Sequence, residues 1–240
     1  MTLNRKNHQF PQLVSEGALN GHESLNIFGF NPAIDGTAIA AWENNVPYAF
    51  PPGPLAMTAQ STSAGDTGIV LRVFYLDADY VRNTVDVTLA GLAAVVIVPD
   101  ILRINNVITL SGNAIGTVTI ENAGNIYAQI NPGIGKTQMS IYTVPANFSF
   151  YLYRIDAWSG TTTGASKYLT FFNQIAFENG TTWTLAETTF IQNMNVVRVF
   201  PLKYDEKTDI QFQAMSSSGL NEIGIFVEGV LIDDRVPPYI

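Results

Sequence analysis

The chain has 240 residues, only 13% of them charged, and a formal net charge of −8; a typical soluble domain is about a quarter charged. An apolar share of 47% with so little charge describes a core-forming chain rather than a disordered one. Without cysteine there is no disulfide, thiolate metal site, Fe–S cluster or thiol nucleophile, and an acidic excess spread over both halves offers nucleic acid no basic face.

Residues 1–65 read differently from the rest. Arg5 and Lys6 precede no apolar segment, so no secretory signal is expected. Gly29, Pro32, Gly36, Pro47, Pro51, Pro52, Gly53 and Pro54 crowd the stretch that follows. Proline lacks an amide donor and fixes φ, so YAFPPGPL at 48–55 is neither a central strand nor a helix interior. Phe28, Phe30, Trp42, Tyr48 and Phe50 punctuate the segment. The expectation is an extended arm over 1–65 that anchors on another surface through these five aromatics. The alternative is an irregular segment packed on its own domain.

From 66 onward the pattern is strands and turns. TVDVTLA at 84–90 places Val85, Val87 and Leu89 on one face, Asp86 and Thr88 on the other. LAGLAAVVIV at 89–98 is the longest apolar run and stops at Pro99, well short of the roughly 20 residues a membrane helix needs. Strand-like segments recur at 69–76, 101–110, 114–120, 125–130, 139–144, 148–158, 167–177, 182–191, 196–200, 209–215 and 222–232. Gly- and Asn-bearing turns separate them, Asn179-Gly180 being a strong hairpin signal. No segment sustains a helical period. The predicted fold is all-β: an antiparallel two-sheet sandwich of jelly-roll type over 66–240, with the N-terminal arm extended from it. A subdivision into two smaller sandwiches near 131–137 is the alternative.

Few constellations could carry chemistry. NPGIGKT at 131–137 has Ile130 where a phosphate loop needs its first glycine, and a strand pattern follows where a helix is needed. It reads as a Gly-rich turn. Asp77 and Asp79, with Asp66 or Asp86, could gather around Ca²⁺, but the EF-hand continuation is missing, and a solvated turn is the simpler reading. Asp233 and Asp234 read as a solvated strand end. Asp156 and Glu187 are the one carboxylate pair worth naming for glycoside hydrolysis, because both lie in apolar strands. His8 and His22 both fall in the arm, where neither a triad nor a metal site is expected. The sequons at 147–149 and 179–181 matter only in a secretory pathway. The aromatics Phe148, Phe150, Tyr151, Tyr153, Trp158, Phe171, Phe172 and Phe177 suit a doubly covered sheet or an interface. No catalytic residue, metal or cofactor is expected.

Several segments carry a resemblance. GHESLNIFGFNPAIDGT at 21–37, AWENNVPYAFP at 41–51 and STSAGDTGIVLRVFYLDADY at 61–80 run in order. LRINNVITLSGNAIGTVTI at 102–120, IYTVPANFSFYLYRI at 141–155, KTDIQFQA at 207–214 and FVEGVLID at 226–233 follow. Together they resemble the virion structural proteins of marine and freshwater tailed bacteriophages, cyanophage-like in pattern. The chain departs from that pattern with Asn44 or Asn45, Leu76 and Asn147 where glycine is usual. The resemblance implies a non-enzymatic protein of the virion: a capsid decoration, cement or head-fibre protein, or else a tail-associated or glycan-binding host-recognition protein. It implies self-association, with a trimer favoured, and docking on the major capsid protein or on tail proteins. Host surface glycans are a further candidate partner; nucleic acid and membrane are not.

Overall fold

The computed structural model describes residues 10–98, 101–160, 169–178 and 180–237, without the side chains at 186 and 187. His8, Asn179 and the carboxylate of Glu187 therefore lie outside the described residues. Apart from helix α1 (Phe10–Ser15) and a 3-10 turn at Ala64–Asp66, the regular elements are strands. In chain order they are β1 (His22–Ile34), β2 (Ile39–Ala40), β3 (Thr58–Ser61), β4 (Thr67–Leu76), β5 (Arg82–Ala90) and β6 (Val95–Val96). β7 (Arg103–Thr109), β8 (Val118–Asn122), β9 (Asn125–Ile130), β10 (Ile141–Thr143) and β11 (Phe148–Ser159) follow. β12 (Leu169–Ala176), β13 (Thr182–Phe190), β14 (Asn193–Tyr204), β15 (Asp209–Ser216) and β16 (Asn221–Asp233) close the chain. The chain is all-β, and its strand pairs are antiparallel.

Two sheets were expected, and the described residues form four. One has the order β1-β16-β11-β14 and a second β10-β15-β12-β13, with β2 also on β15. These two fill one core, where Phe150, Phe171, Phe212, Ile225 and Val227 are buried. The third sheet, β6-β3-β8-β9, and the fourth, β5-β4-β7, fill another around Trp42, Met57, Leu71, Ile101 and Ile120. The first unit thus joins β1 and β2 to β10–β16, and the second is inserted between β2 and β10. Counting β2 and β10 as one broken strand, the first unit's sheets read 1-8-3-6 and 2-7-4-5.

The insertion leaves and returns at one point. Ser140 N donates to Ala41 O at 2.8 Å, and Ser140 Oγ donates to Phe212 O at 2.6 Å. Trp42 and Met139 then bridge as the chain enters the second unit. β2 meets β15 at Gln213–Ala214, and β10 meets it at Asp209–Gln211, so β15 carries both ends of the cut strand.

The expected arm over 1–65 needs correcting. Residues 22–34 form β1, paired with β16 from His22 opposite Ile232 to Ile34 opposite Asn221. Its inward positions Ile27, Gly29 and Asn31 are buried at alternate places, as in a half-covered strand. Gly29 sits where β1 passes the insertion point: a Cβ there would fall 2.2 Å from Ala41 O. Pro32 lies within the register shift between Asn31 and Ile34, where a missing amide breaks no ladder bond. Residues 41–61 belong to the second unit.

Two departures from glycine prove compatible with their turns. Asn45 has φ of 52° and Asn147 of 64°, in the left-handed region that asparagine tolerates better than most residues.

Candidate functional site

The five expected anchoring aromatics contact the chain itself. Trp42 and Tyr48 are buried, their rings 5.1 Å apart edge-to-face, and Phe50 continues the row at 5.1 Å from Tyr48. Arg103 lies over Phe50 at 5.0 Å. Phe28 stacks on Trp158 at 5.8 Å and Phe30 is half-buried. These rings fix 28–50 on its own body, because their apolar area is covered from within.

The carboxylates singled out in sequence do not pool. Asp66 is buried and accepts from Ser61 Oγ at 2.5 Å and from the amides of Ile115 and Gly116 at 2.9 Å. Burial alone would raise its pKa, but the hydroxyl and the two amides outweigh it and hold the carboxyl below its usual range. Asp77 accepts from the amides of Asp79 and Val81, both at 3.0 Å, and from Asn83 at 2.8 Å, which shapes the turn. Asp156 pairs with Arg154 at 2.7 Å and accepts from Asn195; Glu187 belongs to a strand of the other sheet. His22 contacts Asn20 O at 2.9 Å. Asp233 is bound by Arg235 at 2.7 Å and falls to a pKa of about 2. NPGIGKT is a turn held by Gly133 N on Ala114 O at 2.8 Å, and no helix follows it.

What the sequence reading missed is a surface. β13 ends one sheet of the first unit and β14 ends the other, so among the described residues these consecutive strands each leave an open edge. On this strip Trp183, Leu185, Ile191, Val197, Val199 and Phe200 are exposed. β14 also bulges: Leu152 of β11 faces Leu202, Arg154 faces Val197, and Tyr153 alone opposes 198–201. The bulge thrusts Val199 and Phe200 out to 87% and 86% exposure. Over 181–200 the formal charges are Glu187 and Arg198, so the strip is near neutral on a chain of −8. Exposed apolar residues on open strand edges are what another chain covers. The signal was present in sequence as a 20-residue stretch with two charges.

No family model matches the chain, and no curated protein matches it in sequence. Among solved structures it is similar to that of infectious bursal disease virus Gx strain, with 11% identity over 91% of this chain and 72% of the other, TM-score 0.28. It is also similar to the VP2 subviral particle of infectious bursal disease virus, with 12% identity over 92% and 74% of the two chains, TM-score 0.27. Likeness this loose carries no argument about fold or function.

Proposed function

We propose that this chain is a non-enzymatic structural protein of a virion that associates with copies of itself along β13 and β14. The observation that carries this reading is the near-neutral apolar strip over both open sheet edges. A second copy fits it best: the segment 181–200 is formally neutral, so two −8 chains approach with least repulsion there. The order 1-8-3-6 with 2-7-4-5 supports the reading, since it describes two Greek keys, the jelly roll used by viral shell and lectin domains. That support is analogy of fold, and the strip supplies the argument of site. On this reading the protein is a capsid decoration or head-fibre component resting on the major capsid protein, and three copies close into a ring.

The experiment is light scattering on the purified chain and on V199D/F200D. The unaltered chain should be oligomeric at micromolar concentration. The variant should be monomeric with the same circular dichroism. A monomeric unaltered chain overturns the self-association. Reconstruction of purified particles then tests position: copies spread over the head support decoration, and a few copies at the tail overturn it.

A further inference from the structure

A cleft of about 430 Å³ opens between the two units, away from the β13–β14 strip. One wall is β1, with Asn26 and Phe28; the facing wall is β4 and β5, with Phe74 and Thr84. Asn106 and Lys136 also line it. Its size falls within the roughly 300–1,000 Å³ of small-molecule sites, and seams between units are where such sites concentrate. A bulge in β7 fixes the seam: Phe74 faces Asn106 and Tyr75 faces Ile104, which leaves Asn105 unpaired in the ladder. Asn105 uses that freedom to clamp the other unit, donating to Thr143 O and accepting from Thr143 N, both at 2.9 Å. The two walls are thereby held at a fixed spacing.

The lining narrows the ligand class. No Asp or Glu lines the cleft among the described residues, which disfavours a divalent cation and leaves no carboxylate pair for hydrolysis. Asparagine amides both donate and accept, as ligand hydroxyls require. Asn106 spends its carbonyl oxygen on Thr137 Oγ1 at 2.9 Å and keeps its NH₂ for another acceptor. Asn26 and Thr84 add an exposed amide and an exposed hydroxyl along the walls. Phe74 provides a flat apolar face on which the C–H face of a pyranose packs, while Phe28 is already stacked on Trp158 and backs the wall. Two basic residues are present. Arg82 is committed to Glu23 by two bonds of 2.7 and 2.9 Å. Lys136 instead sits 6.0 Å over the Phe28 ring, in the lining of the cleft.

We propose that this cleft binds a saccharide, with Asn26, Thr84 and Asn106 on its hydroxyls and Lys136 on an acidic substituent. The site stands apart from the assembly strip, so either proposal can fail without the other.

Calorimetric titration of the full chain with sialyllactose and with lactose tests it. Sialyllactose should bind with a Kd on the order of 1 mM, and lactose about tenfold more weakly. Lys136→Ala should erase that preference. Asn26→Leu should weaken both sugars. Both positions are exposed, so each variant should fold, with circular dichroism as the check. No binding of either sugar by the unaltered chain overturns the proposal, as does binding that neither substitution alters. Equal binding of the two sugars overturns the role of Lys136.

Discussion

The two units are stabilised differently. The first rests on long ladders: β1 and β16 each run 13 residues, and β11 and β14 each run 12. The second has shorter strands, β6 of 2 residues and β3 of 4, and relies on side chains that bond backbone. Asp66 gathers one loop, Asp77 another, and Asn122 Nδ2 holds Ala56 O at 2.6 Å. The unit built on the longer ladders spreads its order over many backbone bonds. The unit built from loops concentrates its order in a few of them.

Among the described residues two ion pairs join the units, the exposed Arg82–Glu23 pair and a buried one. Arg103 of β7 grips Asp209 of β15 with two bonds of 2.8 Å, and donates to Pro51 O at 2.8 Å and Leu102 O at 2.9 Å. Thr143 Oγ1 completes the carboxylate at 2.5 Å. Burial works against the guanidinium charge, and Asp209 more than offsets it, so the Arg103 pKa sits above its ordinary value. Arg103→Ala leaves a carboxylate buried without its partner and should cost about 3–5 kcal/mol. Scanning calorimetry should then show two transitions, as the loop-built unit melts before the ladder-built one. A single transition at an unchanged Tm would show that the seam is held elsewhere.

The next largest effect separates the units by their polar anchors. Asp66→Ala strands the buried Gly116 amide and the part-buried Ile115 amide and should cost about 2–3 kcal/mol, read as a lower urea midpoint. Exchange of the Ile115 and Gly116 amides should quicken, with β11 and β16 unaffected. Uniform loss of protection across both units would contradict the comparison.

The smallest effect depends on pH. Glu43, just past the insertion point, is buried and accepts from the amides of Asn131 at 3.3 Å and Gln138 at 3.4 Å. Burial pushes its pKa up to about 7, although the two amides pull it down. Between pH 4.5 and 7 the folded chain holds a proton that the unfolded chain has released. Its contribution is thus complete below about 4.5 and lost as pH rises through 7. Discounted for solvent screening, the loss is on the order of 2 kcal/mol, and Glu43→Gln should remove this slope from stability measured against pH.

Much of the fold was legible. Strand-like segments between turn residues located β4, β5 and β7–β16, and clean alternation marked β5. β1 was obscured because Gly29 and Pro32, which normally break strands, answer here to a close crossing and a register shift. The insertion was illegible for another reason: the Ala41–Ser140 contact that defines it joins residues 99 apart, and local pattern carries no trace of it. Glu43 was also missed, lying in the polar stretch ENN after Trp42, where nothing local marks it as buried. The carboxylates that were noticed, Asp66 and Asp77, drew attention as ligands but serve as loop ties.

The pairing of β1 with β16 bears on how the chain acquires its structure. His22 and Ile232 are partners roughly 200 residues apart, so the first sheet closes only after its last strand has been made. β3 to β9 pair among themselves, and all of them have been made by residue 130. During synthesis the inserted unit can therefore assemble while β1 still lacks its partner strand β16. That waiting strand edge is exposed for as long as translation takes, and the closing step carries the entropy cost of a long loop.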